Sequence, residues 1–284
     1  MVTSKESVVD IKVAKIGAHY PVFVIAEIGI NHDGSVDKAR ELIKKAKEAG
    51  ASSGKLQTYI TEKRTSKNSP IFDTLKRCEL TFEEQQQLFD YADQIGLPLF
   101  STPFDDESVD FLNEMDVPCF KIASFDVVNT TLLKKVADCM KPVIISRGMC
   151  STVELADAVS ILKKRSIPYA LMHCVSAYPV EKHSDCNLRT IRSLLDSYSV
   201  PVGFSDHTMG SEAAELAVAT GATLIEKHVT LSRNSDGADH AFSMEFDEFA
   251  KMIARINYVG EILGSVVTGP IEAESSIMQF RRPT

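Results

Sequence analysis

The stretch Pro201-Val-Gly-Phe-Ser-Asp-His-Thr208 joins a short apolar strand to a polar end. Residues 201–204 read as a buried strand, and Ser205, Asp206 and His207 follow it directly. The segment Thr223-Leu-Ile-Glu-Lys-His-Val-Thr230 repeats this plan and leads into Glu226, Lys227 and His228. Two imidazoles at the exits of successive strands can hold one divalent cation, because neutral imidazole is a good metal ligand. The alternative is that each histidine is a hydrogen-bonded structural residue.

Apolar strands of this kind alternate with amphipathic helices eight times between residues 22 and 264. The predicted strands are Val22–Ala26, Gly54–Tyr59, Leu97–Phe100, Pro118–Ala123, Pro142–Ile145, Tyr169–His173, Pro201–Phe204 and Thr223–Ile225. Eight evenly spaced units predict an α/β protein with a single closed (β/α)8 TIM barrel, and a doubly wound open sheet is the alternative. We expect an N-terminal strand or hairpin extension over residues 1–20, the barrel over 21–265 and a tail over 266–284.

Two segments between the strands have signals of their own. Thr81-Phe-Glu-Glu84 predicts a capping box at the start of a helix. The stretch Thr61–Pro70 is polar and irregular, which is typical of a loop that covers a site.

The composition excludes several classes of partner. The chain has 284 residues and a formal net charge of −8, which argues against nucleic acid and anionic membranes. It contains no run of about 18 apolar residues, and residues 1–10 lack the apolar core of a signal peptide. Six cysteines without a C-x-x-C pair indicate reduced thiols, so we expect a cytoplasmic protein.

Every predicted strand exit is polar or charged, and the catalytic groups of such barrels gather there. Lys55 and Lys121, with the hydroxyls of Thr102, Ser124 and Ser205, would form a pocket for a phosphate or phosphoenolpyruvate. Structural ion pairs are the alternative for the two lysines.

Acidic residues at two further exits complete the set of candidates. Glu27 could position or deprotonate water, or could pair with Lys55 or Lys227. Asp239 could orient a sugar hydroxyl, and its neighbour His240 is expected to be solvated.

Six motifs in order resemble the sialic acid (nonulosonate) synthase family, which includes N-acetylneuraminate, legionaminate and pseudaminate synthases and spore-coat polysaccharide synthases. They are Ile25-Ala-Glu-Ile-Gly-Ile-Asn-His-Asp-Gly34, Lys55-Leu-Gln-Thr58, Ser101-Thr-Pro-Phe104, Phe120-Lys-Ile-Ala-Ser124, Gly203-Phe-Ser-Asp-His-Thr208 and Glu226-Lys-His-Val-Thr230. The resemblance implies condensation of phosphoenolpyruvate with an amino-sugar aldose, a Mn²⁺ or Mg²⁺ cofactor, and a homodimer.

The resemblance also implies residue roles. Phosphoenolpyruvate would contact Lys55, Thr102, Lys121, Ser124, Ser205 and His207. The metal would be held by His207 and His228. Glu27 would handle proton and water chemistry, and Tyr178 and Asp239 would contact the sugar.

This sequence departs from the family pattern near the acceptor. Ala123-Ser-Phe-Asp126 is similar to the pseudaminate branch but has a shorter acid at Asp126, and Ser176 stands where the sialic acid branch has Asn. Arg147 stands where the family usually has Thr, and could replace a positive charge. Most members continue into a small antifreeze-like domain that lends an arginine to the partner subunit. The sequence stops at Thr284, where that domain would begin, so two alternatives stay open: a separate chain supplies the domain, or its loss abolishes activity.

Two other readings remain open from the residues alone. Lys121 could form an imine with a ketone substrate, as in a Schiff-base aldolase. A barrel without its partner domain could also bind sugar without catalysis.

Overall fold

The computed structural model describes residues 8–282, and its centre is a closed barrel of eight parallel strands. The strands are β1 (Phe23–Gly29), β2 (Ser53–Thr58), β3 (Leu99–Pro103), β4 (Phe120–Ile122), β5 (Val143–Arg147), β6 (Tyr169–Cys174), β7 (Val202–Asp206) and β8 (Leu224–Thr230). Each strand pairs with the next, and β8 pairs with β1 from Leu224 opposite Phe23 to His228 opposite Glu27. This last pairing confirms the TIM barrel and rules out the open sheet.

One helix follows each strand and covers the outside of the barrel. These helices are α1 (Val36–Glu48), α2 (Phe82–Ile95), α3 (Asp106–Glu114), α4 (Thr130–Asp138), α5 (Thr152–Lys164), α6 (Arg189–Tyr198), α7 (Glu212–Ala219) and α8 (Phe246–Leu263). In α1, Ala39, Leu42, Ile43 and Ala46 recur at helical spacing and are buried against the strands. No helix within residues 8–282 is long and apolar enough to cross a membrane.

The helix starts follow the capping signals of the sequence. The predicted capping box at Thr81 and Glu84 is confirmed, since each side chain bonds the other residue's backbone N–H. Ser151 and Glu154 form the same arrangement at the start of α5. These bonds satisfy amide donors that have no partner within the helix.

A small antiparallel hairpin precedes the barrel, as expected for the N-terminal extension. Its strands are Val9–Asp10 and Lys15–Ile16, and Val9, Ile11 and Ile16 are buried in the main core. Lys12 forms an ion pair with Asp116, which precedes β4. The hairpin therefore lies at the end of the barrel where the strands begin.

The segment after β2 is more regular than its sequence predicts. It contains the short helices Thr61–Arg64 and Phe72–Cys78. The hydroxyl of Tyr59 donates to the carbonyl of Leu75 at 3.0 Å and ties this segment to the strand end. The expected irregular loop over Thr61–Pro70 is wrong at its start, because local hydrogen bonds form a helical turn.

After α8 the chain leaves the barrel. Residues 264–282 are exposed apart from the half-buried Met278, and Glu272–Phe280 forms a 3₁₀ helix. Large apolar side chains here, such as Val266 and Phe280, do not enter the core.

Candidate active site

A cavity of about 300 Å³ opens at the carboxyl ends of the barrel strands. Every predicted site residue except Asp126, Arg147 and Ser176 lines it. These lining residues are Glu27, Lys55, Thr102, Lys121, Ser124, Tyr178, Ser205, His207, His228 and Asp239. Inward-facing positions alternate along a strand, which explains why Glu226 and His228 share the cavity while Lys227 faces the other way.

The floor of the cavity is a buried row of alternating charges. Lys121 Nζ lies 2.8 Å from both carboxylate oxygens of Glu226. Lys55 Nζ lies 3.6 Å from Glu226 Oε2 and 2.8 Å from Glu27 Oε2. All four side chains are at most 4% exposed, so each charge depends on its neighbours rather than on water.

Hydroxyl groups from neighbouring strands complete this row. Ser205 Oγ donates to Glu226 Oε1 at 2.9 Å, and Lys55 Nζ donates to Thr102 Oγ1 at 3.1 Å. Glu27 Oε2 makes no aligned hydrogen bond despite its closeness to Lys55. Of the two ion pairs considered for Glu27, the structure has the one with Lys55. Lys227 instead pairs with Asp206 at 2.8 Å outside the cavity.

Burial and neighbouring charges shift the pKa values of these four groups in different directions. Burial raises the pKa of Glu27 above its ordinary value, although Lys55 partly opposes this. Burial also disfavours charge on Glu226, but Lys121 and Lys55 outweigh it and hold the pKa of Glu226 far below its usual range. Burial lowers the pKa of Lys121, whereas Glu226 and Glu27 outweigh burial and raise that of Lys55. Glu226 is therefore the fixed anion, and Glu27 is the carboxyl group of the row that takes up a proton more readily.

His207 and His228 stand side by side above this floor, with ring centroids 5.5 Å apart. His207 Nδ1 lies 2.8 Å from the carbonyl oxygen of Val175, so it donates there and leaves Nε2 unprotonated. His228 Nδ1 is buried without a hydrogen-bond partner. Burial lowers the pKa of both histidines, so both are neutral at pH 7.

These two imidazoles fit a divalent cation. A metal site needs imidazole ligands with a fixed ring orientation and a free nitrogen lone pair. The bond to Val175 fixes the ring of His207, and His228 has a buried nitrogen without a hydrogen-bond partner. Asp239 Oδ2 lies 3.6 Å from His228 Nδ1 and is the nearest carboxylate to that ring. Within residues 8–282 no group of three or more His, Cys, Asp or Glu side chains is arranged around one point for a metal. Substrate or water would therefore supply the other ligands.

The predicted acceptor residues occupy the upper wall. The ring of Tyr178 lies 4.3 Å from that of His207, centroid to centroid. Burial, with repulsion from Glu27, raises the pKa of Asp239 to about 7. Ser176 does not line the cavity, but its hydroxyl bonds that of Ser124 at 2.8 Å.

Two further predicted positions lie outside the cavity wall. Asp126 accepts a hydrogen bond from Asn129, and Arg147 is half-buried at the end of β5. Neither contributes an atom to the lining. His240 is not solvated as expected: it is fully buried, and its Nδ1 lies 2.7 Å from Thr230 Oγ1.

The cavity residues without a role assigned from the sequence include Glu226, Gln57 and Arg64. Gln57 Nε2 donates to Glu27 Oε1 at 3.1 Å, and Gln57 Oε1 accepts from Arg64 at 3.1 Å. Glu226 and Gln57 stood among the polar strand exits. Arg64 lay in the stretch expected to be a loop, and nothing in its neighbourhood distinguished it from the exposed Lys63.

Comparison with known proteins places this cavity in a family. The NeuB family profile matches residues 42–268. An uncharacterized protein of Methanocaldococcus jannaschii is 44% identical over 93% of this chain and 80% of its own length. The N,N'-diacetyllegionaminic acid synthase of Legionella pneumophila is 35% identical over 94% of this chain and 80% of its own.

A solved structure supports the same relationship. The crystal structure of the N-acetylneuraminic acid (sialic acid) synthetase of Leptospira borgpetersenii, in complex with citrate, superposes with a TM-score of 0.94. It is 38% identical and covers 97% of this chain and 96% of its own.

Proposed function

Because this chain belongs to the NeuB family, we propose that it condenses phosphoenolpyruvate with an N-acetylated aldose. The products would be a nine-carbon nonulosonic acid and phosphate, which makes the protein a carbon–carbon bond-forming transferase. The acceptor would be N-acetylmannosamine or a diacetamido-trideoxyhexose. The observation that carries the proposal is the buried row Lys121, Glu226, Lys55 and Glu27 beneath two neutral imidazoles.

In this proposal the lysines bind phosphoenolpyruvate. Lys55 and Lys121 would match the charge of its carboxylate and phosphate, and Thr102, Ser124 and Ser205 would donate hydrogen bonds. Protonation of Glu27, which its raised pKa favours, would leave the row with a net positive charge. Such preorganised charge in a dry site stabilises developing charge more than it could in water.

The bond changes then follow from this placement. C3 of phosphoenolpyruvate attacks the acceptor aldehyde, and protonated Glu27 gives its proton to the aldehyde oxygen. Water adds to the electron-poor C2 and gives its proton to the Glu27 carboxylate left by the first step, a transfer that the raised pKa of Glu27 favours. The tetrahedral adduct expels phosphate as the C2–O bond breaks and becomes a 2-keto acid.

His207 and His228 would hold Mn²⁺ or Mg²⁺ in this reaction. The cation would supply Lewis-acid polarisation of the acceptor aldehyde when bound. The bond from His207 to the Val175 carbonyl fixes the ring in the orientation that such a ligand needs. Tyr178 and Asp239 would contact the acceptor, and Asp126 and Ser176 would act from behind the wall.

The test is phosphate release from phosphoenolpyruvate by metal-stripped protein with Mn²⁺ added back. The assay is run with N-acetylmannosamine, with 2,4-diacetamido-2,4,6-trideoxymannose, and with no acceptor. We expect release that needs the metal and one of the two sugars and that EDTA abolishes. Release without any acceptor, or none with any N-acetylated aldose, would contradict the proposal.

One observation favours a second candidate, a Schiff-base aldolase. Burial lowers the pKa of Lys121, and imine formation needs a neutral amine. That mechanism predicts borohydride trapping of a keto acid on Lys121 without added metal. It assigns no role to His207 or His228, so we place it second.

A further inference from the structure

Arg64 presents a guanidinium to the cavity wall from the short helix after β2. Its Cζ lies 3.6 Å from the ring centroid of Phe104 and 4.6 Å from that of Tyr59. Its Nη1 donates to Gln57 Oε1 at 3.1 Å. The two rings and the amide hold the planar group in one orientation, because cation–π contacts favour a guanidinium over an aromatic face.

Arg64 forms no close ion pair in the described protein, although Asp126, Asp239 and Glu27 attract it from farther away. Within residues 8–282 no carboxylate lies within 4.0 Å of its guanidinium. Asp126 and Asp239 feel its attraction, yet burial outweighs it and raises the pKa of both. Within residues 8–282 the guanidinium hydrogen-bonds only the neutral amide of Gln57, and a partly buried cation held in this way is costly unless a ligand completes it.

Arg64 faces the acceptor side of the proposed site. Through Gln57 it is linked to Glu27, whose Oε1 accepts from the same amide. A β-carbon at Gly29 would lie 3.4 Å from Glu27 Oε1 and 3.5 Å from Asp239 Oδ2, so these two acids converge beside Gln57. In the proposed function, Lys55 and Lys121 at the cavity floor take the charges of phosphoenolpyruvate. The unpaired cation is therefore left for the second substrate.

We propose that Arg64 determines acceptor specificity by binding an anionic group of the sugar, a phosphate or a carboxylate far from the aldehyde. The inference rests on the proposed function and narrows its substrate class. A planar guanidinium can make two parallel hydrogen bonds to either group, and this pairing is among the strongest polar contacts in proteins. A neutral acceptor would leave the charge unmatched.

The test compares three acceptors at saturating phosphoenolpyruvate and Mn²⁺: N-acetylmannosamine, its 6-phosphate and N-acetylmannosaminuronic acid. We expect at least one anionic acceptor to have a KM about 10- to 100-fold below that of N-acetylmannosamine, the range expected for a charged hydrogen-bond pair. The preferred anion distinguishes phosphate from carboxylate.

The variant Arg64→Gln keeps the hydrogen-bonding ability but removes the charge. It should raise KM for the anionic acceptor about 10- to 100-fold more than it raises KM for the neutral sugar, with little change in kcat. The matched control is Lys63→Gln, because Lys63 is the adjacent cation and pairs with Glu107 on the surface. It should change neither KM.

If Arg64→Gln folds poorly, a second measurement uses Arg64→Lys instead. Calorimetry then compares the affinities of wild type and Arg64→Lys for the 6-phosphate and the uronic acid. Arg64→Lys should retain part of the affinity for the anion. Equal loss for neutral and anionic acceptors, or a wild type without preference for either anion, would overturn the inference. Turnover with neutral acceptors alone would contradict the role of Arg64 but not the proposed function. No turnover with any acceptor would contradict both.

Discussion

At the scale of single residues, the account depends on the charges at the cavity floor. Lys121 is held by both oxygens of Glu226, and Glu226 is held in turn by Lys55 and Ser205. Bonds of this kind keep the ammonium groups in place before any substrate arrives. Electrostatic preorganisation of this sort is commonly the largest contribution to catalysis.

Lys121→Met should therefore abolish most turnover. We expect kcat/KM for phosphoenolpyruvate to fall by about 10²–10³-fold, the loss typical of removing one preorganised charge. Lys121→Arg keeps the charge and should retain more activity than Lys121→Met. The control Lys134→Met removes an exposed lysine and should leave the rate unchanged. A Lys121→Met protein that is folded by circular dichroism and fully active would contradict the role.

His32 gives a pH dependence of stability. Burial lowers its pKa to about 4, below the ordinary 6.5. Between these values the unfolded chain binds the extra proton, so stability rises with pH and the penalty grows as pH falls. At pH 5 this single group should destabilise the fold by about 2 kcal/mol relative to pH 7. Urea unfolding at both pH values should show a smaller difference for His32→Gln than for wild type, and equal differences would contradict the assignment.

The sequence predicted most of the site residues but not which charged groups pair with one another. Polar residues directly after apolar strands identified Glu27, Lys55, Lys121, His207 and His228. Their neighbours in space could not be deduced, because Glu226 meets Lys121 across 105 positions of sequence. Arg64 escaped prediction for the same reason, since only the fold brings it against Phe104 and Gln57.

At the scale of elements, Asp105 joins two strand exits. Its Oδ1 caps α3 by accepting from Ser108 N–H, and its Oδ2 accepts from Ile60 N–H, both at 2.8 Å. Ile60 is the N-cap of the helix that carries Arg64. One carboxylate therefore fixes both a barrel helix and the wall of the cavity.

Asp105→Ala should cost about 2 kcal/mol of unfolding free energy and raise acceptor KM, because it removes a cap and leaves the half-buried N–H of Ile60 without its partner. Ser151→Ala removes only the cap of α5 and should cost about 1 kcal/mol without changing KM. Chemical denaturation and steady-state kinetics measure the two effects. A loss for Asp105→Ala no larger than that for Ser151→Ala would contradict the double role.

The sequence predicted the order and type of the elements and missed where some strands end. The predicted strand Thr223–Ile225 continues to Thr230 in β8. The predicted strand stopped at the charged residues Glu226 and Lys227. In the structure both are buried within the strand because Lys121 and Asp206 neutralise them. Apolar patterning cannot show such pairing, so polar interior strands are underpredicted.

At the scale of the whole molecule, the barrel has one open and one closed end. The cavity opens where the strands end, and the hairpin closes the other end with Val9, Ile11 and Ile16. The chemistry and the closure are thus separated along the barrel axis, which is usual for this fold. The homodimer, the separate antifreeze-like chain and the cytoplasmic location remain predictions.

Ile16→Ala should lower stability without affecting catalysis. Ile16 is fully buried, and deleting such a side chain typically costs about 2–4 kcal/mol. Val13→Ala, at a half-exposed site of the same hairpin, should cost less than about 0.5 kcal/mol. Thermal unfolding gives the stabilities, and kcat at 25 °C should match wild type in both. A slower folded Ile16→Ala enzyme would contradict the separation.

The central claim is that C3 of phosphoenolpyruvate joins the acceptor while its bridging oxygen leaves with phosphate. The most direct measurement uses phosphoenolpyruvate labelled with ¹⁸O at the bridging position, with mass spectrometry of both products after complete turnover with the active acceptor. We predict an unlabelled nine-carbon keto acid and phosphate that carries the label. No nine-carbon acid, or label retained in the acid with unlabelled phosphate, would contradict the account.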